Sequence, residues 1–170
     1  MTAMIITSIL LVVLYVGATI WVKKEIPESI SAMVYDLPEG GWRWLWTAWL
    51  IIVDVLTFAP AIEILDAKGM GFMGFIPMVM IAFVAIWPLC DTSHQKWHYI
   101  LSIVAGIWSQ VFDVAMICPW WLFLWILWPL SAWYITKSNE KGEKTILDGC
   151  NIFLAEAVCY TGLIAAILCR

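Results

Sequence analysis

The chain has 170 residues, of which 64% are hydrophobic and 13% charged, and a mean hydropathy of +0.91. A soluble domain carries about 25% charged residues, so this chain has too little polar surface to coat a water-soluble particle. Its net charge of −4 comes with no basic patch or basic repeat, which argues against a nucleic-acid partner.

The composition predicts an all-α fold, a polytopic transmembrane bundle of about six helices forming a single domain over 1–170. The lipid bilayer is the expected partner, and a homo-oligomer is compatible with it. Thirteen Trp residues fit this setting, because at the membrane–water boundary the ring is in an apolar layer while its N–H stays wet.

The first span is expected at 4–22. Lys23 and Lys24 follow this apolar run instead of preceding it, so it reads as a retained span and not as a signal peptide. A polar connection with Pro27, Pro38 and Gly40-Gly41 leads to the second span, 42–65, entered through Trp42, Trp44, Trp46 and Trp49. A Gly-rich turn precedes the third span, 72–90, which contains Pro77 and Pro88. The fourth span covers 98–117, and Cys118-Pro119 ends it, since proline cannot continue a helix. The fifth span, 120–136, is the shortest. A charged loop, 137–145, separates it from the sixth, 146–168. A 30 Å hydrocarbon layer needs roughly 20 residues of helix, and these runs approach or exceed that. Loops this short leave no extramembrane globule. There is no internal repeat of the kind that builds many transporters.

Lys and Arg distribute unevenly among the connections. Lys23, Lys24, Arg43, Lys96, Lys137, Lys141 and Lys144 fall on one side, Lys68 and Arg170 on the other. The positive-inside rule then places the first group in the cytoplasm and both termini outside. The small loops suit a prokaryotic inner membrane. Five cysteines, Cys90, Cys118, Cys150, Cys159 and Cys169, form no CxxC pair and read as small buried hydrophobes.

Ionisable groups inside spans cost several kcal/mol and mark functional candidates. Asp54 in the second span and Glu156 in the sixth are expected at similar depth near the bilayer centre. Asp113 is expected nearer the outer face, beside Ser109 and Gln110. No Lys, Arg or His is expected at mid-membrane to pair with them. Such acids either bridge helices as neutral hydrogen-bond donors or form a proton or cation pathway. A facing Asp54–Glu156 pair would favour the pathway, because two close carboxylates share a proton or hold a cation.

His94 and His98 are the two histidines of the chain. A separation of four puts them on one helix face, a spacing that suits zinc, with Asp91 placed to supply an oxygen ligand. The simpler reading is a polar helix start, capped by Asp91, Thr92 or Ser93, with interfacial histidines. In the first connection, Ser29, Ser31, Tyr35 and Asp36 belong to a short amphipathic segment. It either lies in the interface plane or folds over the cytoplasmic mouth of the bundle as a lid.

Two resemblances accompany these motifs. Pro27-Glu28-Ser29-Ile30-Ser31 with Tyr35, then Gly74-Phe75-Ile76-Pro77 and His98-Tyr99-Ile100, resemble a group of uncharacterised small multi-spanning membrane proteins of bacteria and their phages. That resemblance implies an address and no mechanism. Ser93-His94-Gln95-Lys96-Trp97-His98 is similar to the SHQxxH segment of the progestin and adipoQ receptor family, whose superfamily includes alkaline ceramidases. It implies an intramembrane zinc site. That family places the segment in its last span and uses a third His, whereas two more spans follow here and Asp91 or Asp36 would have to substitute.

Three functions are therefore open: binding or passage of a small solute, ion or lipid through a polar bundle interior; metal-dependent hydrolysis of lipids; and a non-catalytic structural or phage-related membrane role.

Overall fold

The computed structural model describes residues 1–38, 40–90, 95–140 and 150–170. Among these every regular element is helical. Helix α1 is Thr2–Lys23, α2 Gly41–Asp66 and α3 Gly71–Cys90. Helix α4, Gln95–Trp108, continues through a π-helical stretch, Ser109–Val114, and a last turn, Ala115–Ile117. After the break at Cys118 a 3₁₀ segment, Pro119–Ile126, leads into α5, Leu127–Glu140. Helix α6 is Asn151–Leu168.

Five of these helices are long and apolar enough to cross a membrane: Thr2–Lys23, Gly41–Asp66, Gly71–Leu89, Lys96–Ile117 and Asn151–Leu168. Their outward faces are apolar, as a bilayer requires. Leu14 is 67% exposed, Trp21 75% and Phe72 60%, a surface that water would not tolerate at this density. The protein is a multi-pass membrane protein.

The fifth predicted span, 120–136, differs from the expectation. Its first half is 3₁₀ and its α-helical part, α5, has 14 residues. A 3₁₀ helix rises about 2.0 Å per residue against 1.5 Å for an α-helix. The composite therefore reaches about 37 Å, enough for a sixth crossing. Its course supports one: Arg170 Nη1 lies 3.5 Å from Met1 Sδ, so the two termini meet at one end. The sixth predicted span, 146–168, is helical from Asn151; residues 146–149 lie outside the described residues.

We call the end that carries the α1–α2 connection the near end and the end that carries the termini the far end. Helices α2 and α3 form the tightest pair. Gly69, at φ +73°, makes the turn between them, and at Gly74 a Cβ would sit 3.0 Å from Ile62 Cγ1. Thr47 Oγ1 donates to Ala85 O at 2.8 Å and Trp108 Nε1 to Met73 O at 3.0 Å, fixing the register of α2, α3 and α4. Trp49 Nε1 donates to Leu11 O, and its ring packs on Tyr15 at 4.3 Å between centroids, tying α1 to α2.

Two apolar layers close the bundle. The far layer joins Ile5, Phe58, Ala61, Ile64, Val114 and Leu163. The near layer joins Val34, Trp46 and Ala85, with Tyr35 and Trp49 packed against them.

Candidate functional site

Between the two layers lies a belt of polar side chains. Ser8 of α1, 0% exposed, is 2.8 Å from both Thr57 Oγ1 of α2 and Tyr160 Oη of α6. One residue from Tyr160 along α6, Cys159 O accepts from Gln110 Nε2 at 3.1 Å, and Gln110 Oε1 accepts from Trp125 Nε1 at 3.1 Å. Gln110 thus bridges the π-helical stretch, α6 and the 3₁₀ segment. A π-helical turn widens the coil locally and is common at functional sites. Here it brings Ser109, Gln110, Asp113 and Val114 all inside. Five segments of the chain meet in this belt, and Gly162 makes the approach possible, since a Cβ there would lie 3.1 Å from Gln110 Oε1.

Asp54 and Asp113 flank the belt on opposite sides. Asp54 stands three residues before Thr57, about 4.5 Å of α-helix, and Asp113 three after Gln110 within the π-helical stretch. Asp54 is 3% exposed and Asp113 0%. Asp54 Oδ1 and both carboxyl oxygens of Asp113 have no hydrogen-bond partner among the described residues. A buried polar atom left without a partner costs about 1–3 kcal/mol, so neither acid holds helices together in this state.

Glu156 differs from both. It lies four residues before Tyr160 and so at a depth similar to Asp54, as the sequence suggests, but the two acids do not bond each other. Glu156 accepts instead from Ser29 Oγ at 2.9 Å, from Ser31 Oγ, and from the backbone N–H groups of Ile30 and Ser31.

The reason lies in the length of α6. Nine residues separate Asn151 from Tyr160, whereas sixteen separate Gly41 from Thr57, so α6 starts about 10 Å short of the near end. The connection after α1 folds inward to fill that space. Phe153 N donates to Glu28 O at 2.8 Å, and Ser29, Met33 and Val34 are buried. Irregular backbone at membrane depth survives only where its polar groups are satisfied inside the protein. The Glu156 carboxylate provides that satisfaction.

In the 27–36 segment, expected either in the interface plane or as a lid, Pro27, Ser29, Met33 and Val34 are buried. Its 3₁₀ helix, Ser31–Asp36, covers the near end, and the side chain of Asp36 lies outside the described residues.

Tyr35 meets His98 edge to face at 5.4 Å. His98 is 0% exposed, not an interfacial anchor as the polar-start reading expects. Neither ring nitrogen has a hydrogen-bond partner of good geometry among the described residues, although the backbones of Val84 and Ser31 face the ring. Asp91 and His94, the other two expected zinc ligands, lie outside the described residues. Among the described residues no three His, Cys, Asp or Glu side chains cluster as a metal site would.

Sequence reasoning missed the Ser8–Thr57–Tyr160 hydroxyl cluster. Its signal was present as three hydroxyl residues inside apolar runs, but lone hydroxyls in a span are common and bond their own helix backbone. Nothing local told these three apart.

No family model, no curated protein and no solved structure matches this chain. The functional reading therefore rests on the site.

Proposed function

We propose that the protein binds and passes a small cation, with the proton first among candidates, through the polar interior of its bundle. The observation that carries this is the pair Asp54 and Asp113. Both are buried in spans, carry unsatisfied oxygens and stand on either side of a belt of hydroxyl and amide groups. Intramembrane acids of this kind mark ion and proton pathways, and a carboxyl group takes up and returns a proton without rearrangement of the bundle. The inserted α1–α2 connection closes the near end in this state.

Lys and Arg counts favour the near end as the cytoplasmic one. Short connections and the resemblance to small membrane proteins of bacteria and phages favour a prokaryotic inner membrane.

The test is proton flux into proteoliposomes driven by a valinomycin potassium diffusion potential and read with an internal pH dye. Flux above empty vesicles, lost in Asp113→Asn and reduced in Asp54→Asn, supports the reading. If the protein moves no protons, Na⁺ or K⁺, or if both variants match the parent, the reading fails.

A further inference from the structure

A groove of about 480 Å³ runs between α1 and α6 on the outer surface of the bundle. Its volume falls within the range of small-molecule sites, about 300–1,000 Å³. Val13, Gly17 and Ile20 form one wall, Phe153, Ala157 and Ile164 the other, and Ile30 of the inserted connection also lines it. These walls are mainly apolar from Ile9 to Ile20 and from Phe153 to Ile164, about 17 Å of helix, so the groove offers a chain-shaped apolar ligand a slot about half a bilayer core long. Gly17 leaves it open, because a Cβ there would meet no atom within 4 Å.

The rim carries charge in register with the slot. The groove stripe on α1 runs through Ile9, Val13, Val16 and Ile20, and side chains three or four residues apart share one helix face. The next position on that stripe is Lys23, and Lys24 follows as the left-handed cap that ends α1. Both are exposed, Lys24 lying against the Trp21 ring at 4.0 Å. Lys23 and Lys24 thus follow the apolar slot where the apolar run of α1 ends.

We propose that the groove is a specific glycerophospholipid site, with one acyl chain lying between α1 and α6 and the phosphate held at Lys23 and Lys24. A second copy of the chain fits less well, since a helix seated there would bring apolar side chains against the lysine rim. Tyr160 lines both this groove and the polar belt, but lipid retention is read without reference to ion passage.

The experiment is native mass spectrometry of the full-length protein, released from nanodiscs containing equal palmitoyl-oleoyl phosphatidylglycerol and the matching diacylglycerol. One phosphatidylglycerol should remain bound, retained about tenfold over diacylglycerol, since each surface lysine favours an anionic headgroup appreciably. The variant Gly17→Leu with Ala157→Leu should lose the lipid while keeping the parent's melting temperature, because the added side chains enter empty space. Lys23→Gln with Lys24→Gln should collapse the preference for the phosphate-bearing lipid and retain both lipids equally.

Equal lipid retention by the groove-filled and parent proteins would overturn the proposal, as would a parent with no headgroup preference. A dimer that the groove-filling pair abolishes would assign the face to a second copy and overturn it too. If the groove-filled protein melts lower, retention in Gly17→Leu alone decides by the same outcomes.

Discussion

Glu156 and Asp113 are both buried acids inside spans of one small bundle, and they live in opposite circumstances. Glu156 is surrounded by donors: two serine hydroxyls and two backbone N–H groups of the inserted connection converge on it. Asp113 has none among the described residues for either oxygen. The contrast teaches that burial of an acid in a membrane does not define its role. What defines it is whether the protein has built partners around it. An acid with partners holds structure together. An acid without them is held ready for something that comes and goes.

This contrast can be broken in order of expected effect. Glu156→Ala should be the most damaging change, about 3 kcal/mol, because it strands buried hydroxyl and backbone donors within the bilayer. Reversible unfolding in mixed micelles would measure it. A loss under about 1 kcal/mol would mean that the inserted connection is held by its apolar contacts alone.

Gln110→Ala should cost about 2 kcal/mol by the same assay, since it removes bonds to Cys159 O and Trp125 Nε1 at once. Gly162→Ala should cost about 1 kcal/mol by crowding Gln110 Oε1. The double variant should be less harmed than the sum, because truncating Gln110 removes the obstacle. Strict additivity would show that the two positions do not meet.

Ser8→Ala should cost about 1 kcal/mol or less, in line with hydrogen bonds between membrane helices, which average about 0.6 kcal/mol. Smallest of all should be Asp113→Asn. It should leave stability within about 0.5 kcal/mol of the parent while abolishing flux, and a large destabilisation would place Asp113 with Glu156 as a structural group.

The sequence carried the class of fold openly, because 3.6-residue periodicity matters little when whole runs are apolar and length alone signals a span. The apolar runs 4–22, 42–65 and 72–90 lie inside α1, α2 and α3, and 98–117 runs from α4 through the π-helical stretch to the break at Cys118-Pro119. The fifth crossing was less legible: Trp120, Trp121, Trp125 and Trp128 look like any aromatic-rich helix, and whether the backbone coils as α or 3₁₀ depends on what Gln110 and α6 demand of it. The depth of Asp54 relative to Glu156 could be read from counting. The partners of Glu156 could not, because they come from a connection more than a hundred residues away whose inward fold depends on the shortness of α6. The hydroxyl belt was equally hidden, since its members sit on three crossings and become a group only through packing.

The meeting of Met1 and Arg170 has a practical consequence. Reporters fused to the two ends should face the same compartment, so that matching signals from both fusions would count the crossings as even without further structural work. The proximity also makes the chain a candidate for circular permutation: a short polar linker could join the old ends, and a new opening in the turn after α2 would leave every helix pair described above intact.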